Sequence, residues 1–114
     1  MTECLFCKIV ERTIPAALVY EDELVVAFDD INPQAQTHTL VIPRRHVTSV
    51  ADLQDSDVGL LGHLMLAGNK IAKLKGVADT GYRFVINTGA HGGQSVFHLH
   101  LHILGGRHMA WPPG

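Results

Sequence analysis

Three histidines at alternate positions carry the strongest chemical signal in this chain of 114 residues. His98, His100 and His102 alternate with aliphatic residues in the stretch SVFHLHLHIL, residues 95–104. Strict alternation predicts a strand whose three rings project from one face while the aliphatic side chains enter a core on the other. Imidazole titrates close to neutrality, so nucleophilic attack, proton transfer and metal ligation are the candidate chemistries. Three aligned rings gain little apolar burial, and we therefore expect a functional site here.

A glycine-bearing loop, AHGGQS, precedes the histidine stretch. Gly92 and Gly93 lack the Cβ that would hold a ligand away, so their amides can reach phosphate oxygens, and Ser95 adds a hydroxyl. The alternative is an ordinary hairpin turn, because paired glycines are common in turns. Asn87 and Asp30 end two predicted strands, where binding sites gather. Asp30 would suit ribose hydroxyls, although DDINP is equally typical of a turn.

The rest of the pattern predicts the elements that position these residues. Predicted strands span 17–20, 24–28, 37–43, 81–89 and 95–104. Helical spacing predicts a long helix after an N-cap at Asp55 or Ser56, with Gly76 as its stop, and residues 5–13 favour a short helix. The order predicts an α+β fold, a five-stranded antiparallel sheet with one long helix packed on it.

Length and composition narrow the class of protein. The chain fits one domain, 1–114, with one modest core. Its 46% hydrophobic and 18% charged residues are ordinary for a globular protein, and a net charge of -2 gives no electrostatic case for binding nucleic acid or a membrane surface. No stretch approaches transmembrane length, and MTECLFCKIV lacks the apolar core of a signal peptide. A cytoplasmic location is therefore expected.

Two further segments stand apart from the histidine stretch. Cys4 and Cys7, in CLFCK, have a spacing consistent with half a zinc site, a redox pair or two buried thiols. The tail GGRHMAWPPG, residues 105–114, contains Trp111, the only tryptophan, followed by two prolines. Prolines restrict the backbone and lessen the entropy lost on docking, so we expect this tail to make a fixed contact instead of fraying.

The pattern from His98 to Leu104, HLHLHIL, resembles the His-φ-His-φ-His-φ-φ signature of the histidine-triad (HIT) superfamily of nucleotide hydrolases and transferases. GGQSVFHLHLHILGGRHMAWPPG, LLGHLML and INPQAQTHTLVIP are similar to the Hint branch, the purine nucleoside phosphoramidases. The similarity extends over nearly the whole chain. It implies a single HIT domain and hydrolysis of the P–N bond of purine nucleoside 5′-phosphoramidates, and of aminoacyl-adenylates, through a nucleotidyl-histidine, with no cofactor required.

The resemblance also implies roles for individual residues. His100 matches the nucleophile, and His98, His102 and His38 match the residues that orient it and handle protons. Ser95, Asn87 and the Gly93 amide match groups near the phosphate or the leaving nitrogen, and Asp30 matches the residue that holds the ribose. The apolar slot for the base corresponds to Leu5, Phe6, Ile9, Phe28 and Ile31. Family members are homodimers with joined sheets, whose tails reach the partner's active site, which would place Trp111 beside the leaving amine.

A structural zinc is a further implication of the resemblance. Several bacterial HIT proteins that the N-terminus resembles complete such a site with histidines that match His46 and His98, beside Cys4 and Cys7, whereas many Hint proteins lack the cysteines. Mixed cysteine and histidine ligation at four positions is plausible zinc chemistry. If zinc is bound there, His98 is a structural residue.

Three other functions compete with a phosphoramidase acting on AMP or GMP conjugates. An aligned histidine trio can hold a catalytic zinc with an open position, as in a metallohydrolase. Another branch of the superfamily cleaves dinucleoside polyphosphates, and the WPPG ending favours the Hint branch over it. A nucleotide-binding adaptor with incidental catalysis is the alternative from a different class.

Overall fold

The computed structural model describes residues 3–114, which form one antiparallel sheet with a helix against each face. The strands are β1 (Leu18–Glu21), β2 (Val25–Asp29), β3 (Thr37–Pro43), β4 (Tyr82–Val85) and β5 (Leu101–Gly105). They lie in the order β1-β2-β3-β5-β4. The helices are α1 (Leu5–Val10) and α2 (Val58–Leu74). The predicted five-stranded sheet with one long and one short helix is therefore confirmed.

Two hydrophobic cores lie on opposite faces of the sheet. The core beneath α2 includes Val25, Ala27, Val41, Leu64, Ile71, Leu99, Leu101 and Ile103. The core beneath α1 includes Phe6, Ile9, Val26, Phe28, Leu40 and Ile42. Alternate residues of β2 and β3 enter opposite cores, so both strands are buried almost throughout. Leu99, Leu101 and Ile103, which alternate with the histidines, enter the α2 core, as predicted.

The long helix starts later than predicted and stops where predicted. A separate 3₁₀ turn occupies Asp55–Asp57, because Asp57 Oδ2 accepts the Gln54 N–H at 2.8 Å in a capping box, and α2 begins only at Val58. At its other end Gly76 has φ +77°, a conformation that favours glycine and terminates the helix. Within residues 3–114, no helix has the length and apolar composition needed to cross a membrane.

Two predicted strands are shorter than expected. The fourth spans Tyr82–Val85 instead of 81–89, and the fifth spans Leu101–Gly105 instead of 95–104. The backbone leaves the ladder before Leu101 because the Leu99 N–H donates to Val47 O, 2.6 Å away, and bends occupy 96–98. Of the three histidines, His102 alone lies within β5.

Candidate functional site

His100 has one ring nitrogen fixed and one free. Its Nδ1–H donates to the backbone oxygen of His98 at 2.8 Å, which leaves the Nε2 lone pair available. The Phe6 ring stands edge-on to the imidazole, with 5.2 Å between centroids. Burial lowers the pKa of His100, although the His98 carbonyl and the charge of Asp30 oppose the shift. The ring is therefore neutral near pH 7, the state in which imidazole attacks as a nucleophile.

A chain of hydrogen bonds determines which ring nitrogens of His38 and His102 carry a proton. The Gln34 backbone N–H donates to His38 Nδ1 at 3.0 Å, so the proton of a neutral His38 is on Nε2. Nε2 lies 2.9 Å from His102 Nδ1 and 3.4 Å from Asp30 Oδ2. His38 therefore donates to His102, which in turn carries its own proton on Nε2.

The hydrogen bonds from Gln34 to His38 and from His38 to His102 form a relay, and His102 Nε2 is its last atom. It is buried, and within residues 3–114 it has no hydrogen-bond partner. Burial is the main cause that lowers the pKa of His102 to about 4, with a smaller contribution from the neighbouring ionisable rings of His100 and His38, so the ring stays neutral. A buried N–H without an acceptor costs free energy, which an incoming phosphoryl oxygen would recover. The ring centroids of His100 and His102 are 4.9 Å apart, so the free His100 Nε2 and the His102 Nε2–H belong to adjacent rings.

The relay is poorly suited to a metal ion. Ligand atoms of Asp30, His38 and His102 lie within 4.8 Å of one another. However, His38 Nδ1 already accepts the Gln34 N–H, so coordination through Nε2 would require the imidazole to lose its last proton. The cluster is better suited to proton transfer, which weighs against a metallohydrolase centred here.

His98 does not join its two neighbours in the sequence but lies in a second cluster. Its Nε2–H donates to Pro43 O at 2.9 Å, so its unprotonated Nδ1 faces the sulfurs of Cys4 and Cys7, 3.4 and 3.6 Å away. His46 Nδ1 is 3.2 Å from His98 Nδ1 and 3.3 Å from Cys7 Sγ. Four metal-ligating atoms thus converge from α1, the segment after β3 and the segment before β5.

The Cys/His cluster, Cys4, Cys7, His46 and His98, fits a zinc ion. Tetrahedral zinc with Zn–S near 2.3 Å and Zn–N near 2.0–2.1 Å places its ligand atoms about 3.3–3.8 Å apart, close to the separations just given. Burial and the neighbouring Cys4 thiol raise the pKa of Cys7 to about 11, so this thiol stays protonated until a cation binds. Zinc held there would tie three segments together.

The residues predicted to surround the base divide into two groups. Phe6, Ile9 and Phe28 are buried in the α1 core, and the Phe6 and Phe28 rings meet edge-on at 5.4 Å. Leu5, Ile31 and Trp111 are exposed, by 48%, 99% and 82% respectively. Phe6 connects the first group to the triad through its contact with His100.

The glycine loop has the geometry that only glycine accommodates. A Cβ on Gly92 would lie 2.4 Å from Thr88 O, and Gly93 has φ +84°. Ser95 is exposed and lines a cavity of about 590 Å³ with Cys4, Leu5 and His46, so it lies near the Cys/His cluster. Asn87 is half-buried on the segment that follows β4.

Gln94 braces this loop, a role that the sequence did not reveal. Its buried side chain accepts from Gly89 N–H at 2.9 Å and donates to Thr48 O and Val96 O at 2.7 and 3.1 Å. Because a glutamine in a glycine-bearing loop is ordinarily exposed, its residue type gives no signal of burial. The signal lies in tertiary contacts with the segment after β3.

A broader cavity, about 830 Å³, lies away from the triad and is bordered by Lys75, Arg83 and Arg107. Its cations are already engaged: Lys75 Nζ lies 2.9 Å from Asp29 Oδ1, and the two arginines donate to backbone carbonyls. These side chains tie segments together, and we place the candidate active site at the histidines.

Comparison with known proteins identifies the family. The family model described as "Scavenger mRNA decapping enzyme C-term binding" matches residues 3–111. An uncharacterized HIT-like protein from Synechocystis sp. is 52% identical over 112 residues, covering 98% of this chain and 97% of that protein. The chain belongs to the HIT-like protein family. The superfamily resemblance is thereby confirmed, while membership of the Hint branch stays a prediction.

Solved structures of HIT proteins share the whole fold. A HIT family hydrolase from Legionella pneumophila Philadelphia 1 is 50% identical, with a TM-score of 0.95 over 97% of this chain and 99% of that chain. A histidine triad protein from Clostridium difficile is 45% identical, with a TM-score of 0.93 over 96% of each chain. The sheet that carries the histidines therefore follows the HIT-like arrangement throughout.

Proposed function

We propose that this HIT protein is a hydrolase that cleaves the P–N bond of purine nucleoside 5′-phosphoramidates, conjugates of AMP or GMP, through a nucleotidyl-His100 intermediate. The observation that carries the proposal is the pairing of a free His100 Nε2 lone pair with the buried, unpartnered Nε2–H of His102. The names of HIT family hydrolases with the same fold support a hydrolytic reaction.

The reaction would proceed in two displacements. His100 Nε2 attacks the phosphorus, the P–N bond breaks with its electron pair on nitrogen, and the nitrogen departs as an amine after taking up one proton from solvent. Water then attacks the phosphorus of the nucleotidyl-histidine, the P–N bond to His100 breaks with its electron pair on Nε2, and the proton of the water returns to solvent. His102 Nε2–H would donate to a phosphoryl oxygen, where charge develops, and the hydrogen bond from His38 would keep that proton in place.

Other residues would hold the nucleotide around this centre. In the proposal Asp30 contacts the ribose, and Asn87, Gly93 and Ser95 contact the phosphate or the leaving nitrogen. The apolar residues near α1 border the base. Trp111 is 82% exposed in the single chain, which supports a role against the partner subunit of a homodimer. A structural zinc on the Cys/His cluster and a cytoplasmic location belong to the same proposal.

Dinucleoside polyphosphate hydrolysis is a second candidate function. The matching family model is described by a decapping enzyme, which favours P–O–P cleavage at the same nucleophile. Both reactions would transfer a nucleotidyl group to His100, so they differ in the leaving group and not in the residue that attacks the phosphorus.

The deciding experiment is a substrate panel assayed with the purified chain. Adenosine and guanosine phosphoramidates are compared with dinucleoside polyphosphates, with and without a strong chelator, and turnover is followed as kcat/KM. Acid-free quenching and intact-mass measurement should detect a nucleotidyl adduct on wild type and none on His100→Ala. Preference for dinucleoside polyphosphates would favour the second candidate, and turnover without an adduct would contradict both.

A nucleotide-binding adaptor is distinguished by a different measurement. If catalysis is incidental, cells that carry an inactive His100 variant with retained nucleotide affinity should behave like wild type, whereas a deletion should not. We expect the inactive variant to resemble the deletion.

A further inference from the structure

Arg107, the third residue of the C-terminal tail, contacts the loop that precedes β3. Its Nε–H donates to Gln34 O at 3.1 Å, and its Nη1 donates to His108 O at 3.2 Å. The N–H of the same Gln34 donates to His38 Nδ1 at 3.0 Å. Gln34 thus accepts a hydrogen bond from the tail through its carbonyl and donates one to His38 through its amide N–H.

Little else fixes this loop, residues 31–36. Residues 31–34 are exposed, so no hydrophobic contact specifies their conformation. The remaining ties are local, from Asn32 N–H to Asp30 Oδ1 at 2.8 Å and from the Gln34 side chain to Asn32 O at 3.1 Å. The Arg107 contact comes from more than 70 residues along the chain, and it ties the loop to the tail that follows β5, beside the hydrogen bond from Gln34 N–H to His38 of β3.

The tail backbone is shaped to make this contact. Gly106 has φ +95°, which favours glycine, and a Cβ there would lie 2.7 Å from Gln36 Cβ. The tail therefore packs closely against the loop immediately before Arg107. This close approach directs the guanidinium toward Gln34.

We propose that Arg107 is a positioning residue for the His38–His102 relay. By holding Gln34, it keeps the Gln34 N–H on His38 Nδ1, so that His38 remains the Nε2–H tautomer and His102 keeps its proton on Nε2. The catalytic part of this inference rests on the proposed function, whereas the tautomer assignment does not. Without the anchor, the loop samples other conformations, His38 Nδ1 loses its donor, and Nδ1–H forms of both rings become populated.

The test compares three variants by two readouts. Arg107→Met removes the donors, Arg107→Lys keeps a cationic donor, and Arg83→Met is the matched control. Arg83 Nη2 also donates to a tail carbonyl, Ala110 O at 3.0 Å, and within residues 3–114 it makes no hydrogen bond to the loop. Long-range ¹H–¹⁵N NMR on the ligand-free protein reports the tautomers, and kcat and KM are measured with adenosine 5′-phosphoramidate, whose leaving group is ammonia. Melting curves establish that each variant is folded at the temperature used.

We expect Arg107→Met to add Nδ1–H signals at His38 or His102 and to lower kcat about 10-fold, with KM changed less than about 2-fold, because misplacement near the reacting atoms affects turnover more than binding. Arg107→Lys should restore part of both, and Arg83→Met should match wild type in its ring signals. Unchanged ring signals in Arg107→Met, or equal changes in Arg83→Met, would overturn the inference.

The ring signals also separate this inference from the proposed function. If wild type fails to cleave phosphoramidates, the proposed function fails while the NMR comparison still decides the role of Arg107. If wild type cleaves them and the rings of Arg107→Met are unaltered, the role of Arg107 fails and the proposed function stands. Arg107→Ala, which also removes the donors, gives the same comparison if Arg107→Met does not fold.

Discussion

The backbone oxygen of His98 accepts the Nδ1–H of His100 at 2.8 Å, while the ring of His98 faces the sulfurs of Cys4 and Cys7. His98 therefore contacts the Cys/His cluster through its side chain and His100 through its backbone. Whatever fixes the ring of His98 also limits the movement of the carbonyl that sets the tautomer of His100.

Zinc on the Cys/His cluster should be stoichiometric and structural. Cys4→Ser is expected to lower Tm by roughly 10 °C, equivalent to about 2 kcal/mol, because it removes one of four ligands that join three segments. Its effect on kcat/KM should be smaller, since the nucleophile stays in place. Calorimetry with elemental analysis checks both, and Glu3→Gln is the control beside the cluster. Protein that contains no zinc after metal-replete expression would rule out the site.

Loss of the nucleophile should abolish the proposed reaction while the fold persists. His100→Ala is expected to lower turnover at least about 10⁴-fold, because the covalent route disappears. His102→Ala and His38→Ala should cost less, roughly 10² to 10⁴, as is usual for proton handling. His63→Gln, on α2 against the opposite face of the sheet, is the control. Near-normal turnover by His100→Ala would contradict the assignment.

The sequence pattern predicted which face of the sheet the residues occupy better than it predicted where the strands and the long helix begin and end. Alternation of His and aliphatic residues correctly directed Leu99, Leu101 and Ile103 into the α2 core. It could not show that the backbone leaves the ladder before Leu101, because Leu99 N–H bonds to Val47 O, a contact between distant segments. The late start of α2 has a similar cause, since a capping box around Asp57 creates a separate 3₁₀ turn.

Residue types predicted a histidine site but not its division into two clusters. The three histidines were expected on one face as a unit, and the structure separates His98 from the pair His100 and His102. The tautomers depend on backbone groups such as Gln34 N–H and the His98 carbonyl, which every residue possesses and no sequence pattern marks. No sequence pattern marks the burial of Gln94 either, because its side chain bonds to backbone groups.

The neutral relay should make stability depend on pH. The pKa of His102 is lowered from 6.5 to about 4, and burial also lowers that of His38, despite the nearby charge of Asp30. The unfolded chain therefore binds more protons below pH 6.5, and the free energy of unfolding should fall as pH decreases from 6.5 toward 4.

His102→Gln tests this pH dependence directly. The slope of unfolding free energy against pH should become shallower by up to about 1.4 kcal/mol per pH unit, the value for one proton. Urea titrations between pH 4 and 7 measure the slope. His91→Gln, in the exposed part of the glycine loop, should keep the wild-type slope. Equal slopes for wild type and His102→Gln would contradict the lowered pKa.

Gln94 should matter to stability more than its loop position indicates. Gln94→Leu leaves the Gly89 N–H and Thr48 O without their partner, and we expect a loss of about 2–4 kcal/mol, because each unsatisfied buried group costs roughly 1–3 kcal/mol. Ser95→Ala, at the adjacent exposed position, should cost less than about 0.5 kcal/mol. Chemical denaturation of the two variants provides the comparison, and equal losses would show that Gln94 is not a brace.

Trp111 should affect leaving-group preference across a dimer interface. Its side chain is 82% exposed in the single chain, so a fixed contact requires a second copy. Deletion of 110–114 is expected to change kcat/KM unequally among phosphoramidates with different amines, and least for a very small leaving group. Light scattering should show a dimer at micromolar concentration. A monomer, or one common factor for every substrate, would contradict this arrangement.

The alternation of histidines and core residues within one short segment restricts how HIT proteins of this type can diverge. From His98 to Ile103, each imidazole is followed by a side chain of the α2 core. Deleting or inserting one residue there would turn imidazoles into the hydrophobic interior and aliphatic groups toward the substrate, so both stability and chemistry would be lost together. Length variation is thus excluded from this segment, and diversification is confined to substitutions and to surrounding loops.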